Sequence, residues 1–537
     1  EKSMSLSAFI PAAFYFKKSL TLLDESSWVD HYDLNLKLHT LYAEAEYCRG
    51  EFKEMERISI KIFANARCHL DKLKMYIISI EALLAQCKTH EAKKHGLQIL
   101  SFFGESIGTF SDMKSVIIVE LVKAKQLIGR KSDADLIVVN EIYDEQKIAA
   151  ERIMHVLASA FFFVEPDMFG LLALRMLQTS LRYGVCSESA FGFAAYGFLM
   201  IKVFDDIKNA DRFGEIAMHL LKIFTANKCS CEVIIIVYGL IKPLVEHLHK
   251  CTKMLEYSYE LGMQSGKIYF AMMSLVQQYR IRFLMGENLV TIEKKLMASD
   301  EEMMEHRQEM FRLSILPLRQ ACQNLIGHSD DPEELTGEVM NEEQFLLKVR
   351  GRNKTLVALV YHLHSWLSYM FGSYESASRY AKERQATSST ELVLFGGLFR
   401  RRYVFVEGLI AFAMAHKTDA TEWKIAANES IKLLKNNAAH APSNFQHMLL
   451  LLQAESAFLA KNNGDAAIYY DGAIEIAAEN GYVQDEALAS ERAGIFHCST
   501  QDNDQIARGY FLKAYNAYQK WSAYRKADHI CKQYSLQ

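Results

Sequence analysis

Apolar residues recur at spacings of three and four along almost the whole chain, which is the pattern of an α-helix with one buried face. One helix near the C-terminus carries an apolar face formed by Ala467, Tyr470, Ile474 and Ala477. Another face of the same helix carries a stripe of carboxylates, Asp471, Glu475 and Glu479. Small residues at buried positions let neighbouring helices approach closely. The pattern therefore predicts helices packed in pairs.

One kind of turn separates these helices. A glycine follows an apolar helix, and a second apolar helix begins after it, in YCRGEF (47–52), FLMGEN (283–288), YMFGSY (369–374) and AKNNGDA (460–466). Glycine ends a helix readily because it tolerates the left-handed conformation. In the same way Asn480-Gly481 predicts a helix end, and Asp485 and Glu486 lie near the start of the next helix, where the helix dipole favours carboxylates. Each unit is therefore predicted to be an antiparallel helix hairpin.

The last two hairpins resemble each other with a shift of 40 positions. The apolar positions of the first correspond to Ala507, Tyr510, Ala514 and Ala517 in the second. Repeated helix pairs of this length indicate an α-solenoid, although a strict tetratricopeptide repeat has about 34 residues. We therefore predict an all-α fold, an α-α superhelix of tetratricopeptide-like hairpins, with roughly two dozen helices of about 20 residues including loops.

One stretch interrupts the pattern, IGHSDDPEELTGEVMNEEQF (326–345). Its glycines, its proline and its run of carboxylates predict a loop with a short helix starting near Pro332. We take residues 326–345 as a joint between an N-terminal helical-repeat segment, 1–325, and a C-terminal one, 346–537. The carboxylates lack the spacing of a calcium loop and indicate a solvated surface.

Composition agrees with helix throughout and limits the function. The 537 residues include only 6 prolines and 26 glycines, and the formal net charge is −4, so no overall positive field would hold nucleic acid. The ten cysteines are scattered and are expected to be free thiols in a reducing compartment. The longest apolar runs, 190–201 and 233–241, fall short of the roughly 20 residues that a membrane helix needs. We expect a cytoplasmic fragment of a longer protein.

Three short motifs resemble functional sites but have the wrong spacing. GMQSGKI (262–268) has one residue too few for a phosphate-binding loop and Ile268 in place of its hydroxyl. The histidines of HEAKKH (90–95) are five apart and point to different sides of a helix, and CSC (229–231) with EHLHK (246–250) lacks the spacing of zinc ligands. No nucleophile motif is present. We predict no catalytic, cofactor-binding or metal-binding residues.

The concentrated basic feature is the triplet Arg400, Arg401 and Arg402. Three adjacent residues on a helix spread around most of its circumference, so at least one must face a groove or an acidic partner. The alternative is that these arginines pair with carboxylates of neighbouring helices. We keep the triplet as the candidate partner-binding residues; it is too short a footprint for nucleic acid.

Six stretches, in this order and at this spacing, resemble the tetratricopeptide-like helical-repeat region of large multidomain signalling ATPases, which combine AAA-type ATPase, serine/threonine kinase and hybrid histidine kinase modules. The stretches are 28–56, 159–197, 324–345, 436–457, 469–496 and 506–534. The chain departs from the family pattern at Asn437, where a tryptophan is usual, and at His497 and Gly509, which stand where larger apolar residues are usual.

The resemblance implies a regulatory and scaffolding region that is itself not an enzyme. It would link an upstream ATPase or kinase module, which binds ATP, to downstream sensor or kinase output modules, and its partners would be those modules and other proteins. The second hypothesis is the effector-sensing repeat region of an ATP-dependent transcription activator, with a small molecule in its groove. A third, an enzyme on a helical scaffold, would need converging polar groups in a pocket.

Overall fold

The computed structural model describes residues 2–5, 8–23, 26–86, 88–108, 112–129, 131–137, 140–224, 229–351, 353–387, 396–500 and 504–536. Within these ranges the regular structure is helical, and the one β-type contact is an isolated bridge between Glu141 and Val185. The chain forms two compact units. The first unit comprises Glu1–Leu199 and Arg212–Val233, and the second unit comprises Met200–Asp211 and Ile234–Gln537.

The first unit is built from eleven described helices and parts of three more that contribute residues to both units. The eleven are α1 (Lys2–Ser5), α2 (Phe9–Leu20), α3 (Ser27–Asp30), α4 (Tyr32–Cys48), α5 (Phe52–Asn65), α6 (Leu73–Ala85), α7 (Thr89–Phe102), α8 (Met113–Ile128), α9 (Asp133–Ile137), α10 (Glu145–Val164) and α11 (Pro166–Tyr183). The three shared helices are α12 (Ser189–Phe204), α13 (Ile207–Ile223) and α14 (Ser230–Ile234).

The second unit continues with a π-helical segment (Ile235–Ile241), a 3-10 turn (Lys242–Leu244) and fourteen described helices. These are α15 (Leu248–Gln264), α16 (Ile268–Leu284), α17 (Leu289–Glu305), α18 (Glu309–Ile326), α19 (Glu342–Val349), α20 (Lys354–Met370), α21 (Tyr374–Thr387), α22 (Gly396–Thr418), α23 (Thr421–His440), α24 (Pro442–Leu459), α25 (Asn463–Glu479), α26 (Val483–Thr500), α27 (Asp504–Trp521) and α28 (Tyr524–Gln533). Consecutive helices pack in pairs, such as α15 with α16, α20 with α21 and α26 with α27.

The predicted glycine turns are present, with one difference. Gly50, Gly286 and Gly372 adopt the left-handed conformation between the helices of their hairpins. In AKNNGDA, however, Lys461 is the left-handed residue, with φ of 59°, and Gly464 lies in the first turn of α25. The prediction that glycine ends that helix is therefore wrong, because α24 ends earlier than its glycine.

The hairpin of α25 and α26 follows the predicted pattern. Tyr470, Ile474 and Ala477 are buried, Ala467 is half-buried, and the carboxylate stripe on α25 is exposed. The helix ends at Glu479, before Gly481 in the left-handed conformation, and α26 begins at Val483. The local pattern thus correctly predicted the boundaries and the buried face.

Residues 327–341 form the predicted loop, but no helix begins near Pro332. The next helix begins at Glu342 because Asn341 caps it, its side chain accepting a hydrogen bond from the Gln344 amide at 3.0 Å. Upstream, the Asn324 amide binds the carbonyl oxygens of Pro332 and Glu334 at 3.2 and 2.6 Å, which holds that stretch as a loop. The whole stretch 326–345 lies inside the second unit, and the division of the chain at this loop stays a prediction.

Within the second unit, early and late helices are in direct contact. The Gln484 side chain donates to the Leu284 carbonyl at 2.6 Å, and Asn288 donates to the Ser522 hydroxyl at 2.6 Å. Asn444 donates to the Pro243 carbonyl at 2.9 Å. Each contact joins residues 200 or more positions apart. The second unit therefore closes on itself, so that early and late hairpins touch in addition to the neighbouring hairpins that pack in any helical-repeat solenoid.

Candidate functional site

The arginine triplet lies on α22 and divides between the surface and the interior. Arg400 is exposed, whereas Arg401 and Arg402 are each only 5% exposed. This division follows from helix geometry, because adjacent residues are about 100° apart around the axis. Only Arg400 presents its side chain to solvent, and a partner-binding role for the triplet stays a prediction.

Arg401 is held by three acceptors inside the second unit. It forms an ion pair with Asp205, donates to the Asn437 side-chain oxygen at 2.8 Å and donates to the Gly397 carbonyl at 3.1 Å. Burial lowers the pKa of Arg401, and Asp205 opposes that shift. Asn437 thus supplies a polar partner for a buried guanidinium.

Arg402 forms a buried cluster with Asp485 and His447. One terminal nitrogen of Arg402 lies 2.8 Å from each carboxylate oxygen of Asp485, and His447 Nε2 lies 3.1 Å from the same carboxylate. Burial disfavours ionised Asp485, but Arg402 and His447 outweigh burial, so the pKa of Asp485 is below its ordinary value. Asp485 lies in the first turn of α26 and is also the buried counter-ion of Arg402. The sequence pattern did not reveal this second role.

Two further buried ion pairs lie in the C-terminal helices. Arg492 binds both oxygens of Glu455 at 2.7 Å, and Tyr470 donates to Glu455 at 2.8 Å. Lys526 contacts Glu491 at 2.7 Å. Buried charges cost free energy unless they are paired and hydrogen-bonded. Because each of these buried charges is paired and hydrogen-bonded, we interpret the pairs as part of the packing between the C-terminal helices.

The helices of the second unit converge on a cavity, here called the inner cavity. Its lining comes from α16, α18, α20, α22, α26 and α27, and comprises Arg280, Phe283, Leu284, Leu318, Leu359, His362, Leu363, Trp366, Phe399, Arg402, Tyr403, Gln484 and Trp521. Its volume is about 40 Å³, which is room for roughly three water molecules. Early and late helices of the unit both contribute, so the cavity exists only because the unit closes.

Part of the lining of the inner cavity is cationic. Arg280 is 4% exposed, lies over the Phe399 ring at 5.8 Å and donates to the Ser314 carbonyl at 3.4 Å. Burial lowers its pKa to about 10, so it is charged at neutral pH. Burial, together with Arg384 and Arg402, holds the pKa of His362 well below its ordinary value. His362 is therefore neutral, and the positive charge comes from the guanidinium groups.

The lining of the inner cavity also includes an aromatic cluster. Phe283, Trp366 and Trp521 form a cluster with ring centroids 5.6 to 6.2 Å apart. Trp521 is fully buried, and its indole Nε1 has no hydrogen-bond partner among the described residues. A buried N–H without a partner is costly. The cavity thus combines an apolar wall with an unused donor.

Sequence reasoning missed this site, although a signal was present. Arg280 lies in FAMMSLVQQYRIRFL (270–284), an otherwise largely apolar helix, and most of α16 is buried. A charged residue in the middle of such a helix must be buried with it. That pattern could have identified Arg280, but not the helices that face it.

The first unit has an open groove, here called the α5–α7 groove. It has a volume of about 590 Å³ and is lined by α5, α6 and α7. Met55 and Ala82 at its floor are buried, and Phe52 and Leu83 are half-buried. Its rim carries Lys53, Glu56, Lys88, Glu91 and Lys94. An apolar floor bordered by charged residues is typical of protein-binding surfaces.

The other sequence motifs lie in ordinary helical surroundings. The turn of GMQSGKI joins α15 to α16, with Gly266 left-handed. His95 Nε2 lies 3.1 Å from the Ser79 hydroxyl. Cys229 and Cys231 belong to the first unit, whereas His247 and His249 belong to the second. Among the described residues, no three histidine, cysteine, aspartate or glutamate side chains are grouped as metal ligands, and the nine described cysteines are free thiols.

Fold and packing define the class of this protein: an all-α helical-repeat superhelix of antiparallel hairpins. A scan against models of known protein families finds no match, and a search of curated proteins finds no significant relative. Of the helices described, none combines the length and the apolar character needed to cross a bilayer. The resemblance to signalling ATPases therefore stays a prediction.

Proposed function

We propose that this chain is a non-catalytic regulatory and scaffolding region of a multidomain signal-transduction protein in the cytoplasm. It would link an upstream ATPase or kinase module, where ATP binds, to downstream sensor or kinase output modules. The observation that supports the proposal best is the α5–α7 groove. Helical-repeat proteins bind other proteins through grooves between their helices, and this groove is large enough for an extended segment or a helix.

The first test is the sequence encoded on either side of this region. A phosphate-binding loop upstream and a sensor or kinase module downstream would support the proposal, whereas a DNA-binding module downstream would favour the transcription activator. The flanking modules, expressed separately, can then be titrated against the 537-residue chain by calorimetry. We expect at least one of them to bind.

The groove is tested with Leu83→Glu, which puts a charge on its apolar floor. Because a central apolar contact carries much of the binding free energy, we expect binding to weaken roughly tenfold or more. Ile60→Glu is the matched control, since Ile60 is 64% exposed on α5 and does not line the groove. The proposal is wrong if neither flanking module binds, and the groove is not the interface if the two variants bind equally well.

The inner cavity favours the second candidate, an effector-sensing repeat region. A ligand held where early and late helices meet would stabilise the closed form of the second unit and so transmit a signal. A small molecule that binds there would raise the melting temperature of the chain in proportion to its concentration and affinity. A melting temperature unchanged across a library of small metabolites would contradict effector sensing and leave the scaffolding proposal standing.

A further inference from the structure

We infer that the α5–α7 groove binds an amphipathic helix of a partner protein, with an apolar face on the groove floor and charges of alternating sign along both flanks. The flank beside α7 is acidic, basic and acidic in successive turns, and the flank beside α5 is acidic and then basic. The inference rests on the proposed function and names the kind of segment that the groove receives.

The floor of the groove offers an apolar contact for such a helix. Met55 and Ala82 are buried there, and Phe52 and Leu83 are half-buried. The groove volume of about 590 Å³ is room for several side chains. An amphipathic helix carries three or four apolar residues on one face in every two turns, and that face is what a groove with an apolar floor receives.

The walls of the groove carry charges of alternating sign. The α7 wall has Lys88, directly before the helix, followed by Glu91 and Lys94, and the α5 wall has Lys53 and Glu56. All five side chains are exposed, and none of them forms an ion pair with another described residue. A partner with acidic residues opposite the lysines and basic residues opposite the glutamates would therefore complement both walls.

Both walls begin with a lysine, which fixes the order of the charges on the partner. Lys53 is the second residue of α5 and Lys88 directly precedes α7, so each lies at the positive end of a helix dipole. The lysine and the dipole both favour an acidic residue at that position. A basic residue is favoured one turn further along, beside Glu56 and Glu91.

The spacing of the charges favours a helix over an extended segment. Successive charges on each wall are three residues apart in the sequence, which is about 4.5 Å along a helix axis. Residues on one face of a partner helix recur about every 4.5–6 Å, whereas those on one face of an extended segment recur about every 6.6–6.8 Å. Along the three charges of the α7 wall an extended segment would lose register by roughly 4 Å, and a helix would keep it.

The experiment titrates the full 537-residue chain into fluorescein-labelled peptides of about 18 residues and records anisotropy. The matched peptide has leucines on one face, glutamate, lysine and glutamate in successive turns of one flank, and glutamate and lysine on the other. The neutral peptide has glutamine at those charged positions, because glutamine has a similar helix propensity. The broken peptide is the matched peptide with a central proline, which prevents a continuous helix.

The matched peptide is expected to bind with a dissociation constant on the order of 10 μM. The neutral peptide should bind roughly tenfold more weakly, because several individually weak ion pairs are lost together. The broken peptide should bind at least as weakly. Added salt should weaken binding of the matched peptide more than binding of the neutral one.

Two pairs of variants locate the peptide in the groove. Leu83→Glu should weaken binding of the matched peptide roughly tenfold or more, and Ile60→Glu, outside the groove, should not. Lys53→Glu should weaken it severalfold, and a peptide with lysine in place of the glutamate that faces Lys53 should restore binding. Lys61→Glu is the matched control, since Lys61 is exposed on the same helix and does not line the groove.

The outcomes separate the inference from the function on which it rests. Equal binding of the matched and neutral peptides would overturn the charge pattern, and equal binding of the matched and broken peptides would overturn the helix. A matched peptide that does not bind, or that binds Leu83→Glu as tightly as the unchanged chain, also overturns the inference. In each case a flanking module that binds the chain would leave the scaffolding proposal standing.

Discussion

At the residue scale, buried charged side chains in the second unit are paired with partners elsewhere in that unit. Asp485 sits where a helix start favours a carboxylate, yet it is 2% exposed and binds Arg402 and His447. Arg401 and Arg402 adjoin Arg400 but are buried with partners on other helices. A sequence pattern shows which residues share a helix face, but the identity of a buried partner depends on residues far along the chain.

Glu151 on α10 is a buried carboxyl group of the first unit that can be tested by pH. It is fully buried, and neither of its oxygens has a hydrogen-bond partner among the described residues. Burial raises its pKa well above the ordinary value of 4.5, and Glu188 and Glu105 add to the shift. The folded protein therefore keeps a proton on Glu151 up to a higher pH than the unfolded chain does.

The raised pKa of Glu151 predicts that its contribution to stability falls as pH rises above 4.5, because the unfolded state then binds fewer protons than the folded state. The substitution Glu151→Gln removes this contribution to the pH dependence of stability. We expect the variant to be more stable than the unchanged chain at pH 8, by about 1.4 kcal/mol for each pH unit between the unfolded pKa and the folded one, up to the pH of measurement. At pH 4 we expect little gain.

Urea unfolding followed by circular dichroism at pH 4 and pH 8 measures the difference. Glu145→Gln, an exposed carboxylate in the first turn of the same helix, is the control and should show no gain at pH 8. An equal effect of Glu151→Gln at both pH values would mean that Glu151 does not keep its proton in the folded state.

At the element scale the hairpin was predictable because its signals are local. The period of the apolar residues and the glycine turns involve residues within one or two helices, so Gly50, Gly286, Gly372 and Gly481 lie at hairpin turns in the structure. Other turns use a left-handed residue that is not glycine, as at Lys461, Arg307 and Asp419. Near Pro332, local turn chemistry predicted a helix start that the Asn324 contacts and the Asn341 cap override.

Close packing of α26 against α27 gives a prediction at this scale. A Cβ atom added to Gly494 would lie 2.6 Å from ring carbons of Phe511, whereas one added to Gly509 meets nothing within 4 Å. We therefore expect Gly494→Ala to destabilise the chain by about 1–3 kcal/mol through overpacking. Gly509→Ala should stabilise it by up to about 1 kcal/mol, because alanine favours helix over glycine.

Both substitutions add the same methyl group to two helices that pack against each other, so each is the control for the other. Chemical denaturation of the two variants and the unchanged chain measures the free energies of unfolding. Effects of the same sign would show that helix propensity, rather than the α26–α27 packing, governs the response at these positions.

At the scale of the whole molecule, closure of the second unit predicts long-range coupling. Trp521 at the end of α27 lies against Phe283 of α16, with ring centroids 6.2 Å apart, and Ser522 binds Asn288 just before α17. Trp521→Ala should therefore destabilise α16 and α17 as well as α27, at a cost of about 3–5 kcal/mol for a buried tryptophan.

Hydrogen–deuterium exchange read by mass spectrometry gives the answer helix by helix. We expect faster exchange in peptides covering 268–305 in Trp521→Ala, and no such change in Trp423→Ala, whose side chain is half-buried on α23. Faster exchange confined to α26–α28 would indicate a solenoid in which only neighbouring repeats are coupled.

The sequence alone determined the helical class, several hairpin turns, and the boundary and buried face of α25, because each depends on residues a few positions apart. Only the tertiary structure decided which arginine stays exposed, which carboxylate each buried cation binds, and where the inner cavity forms. Those features join residues that lie far apart along the chain, such as Leu284 and Gln484, 200 positions apart, and Asp205 and Arg401, 196 positions apart. Periodicity along one chain specifies the face that a helix buries, and the closure of the second unit decides what that face meets.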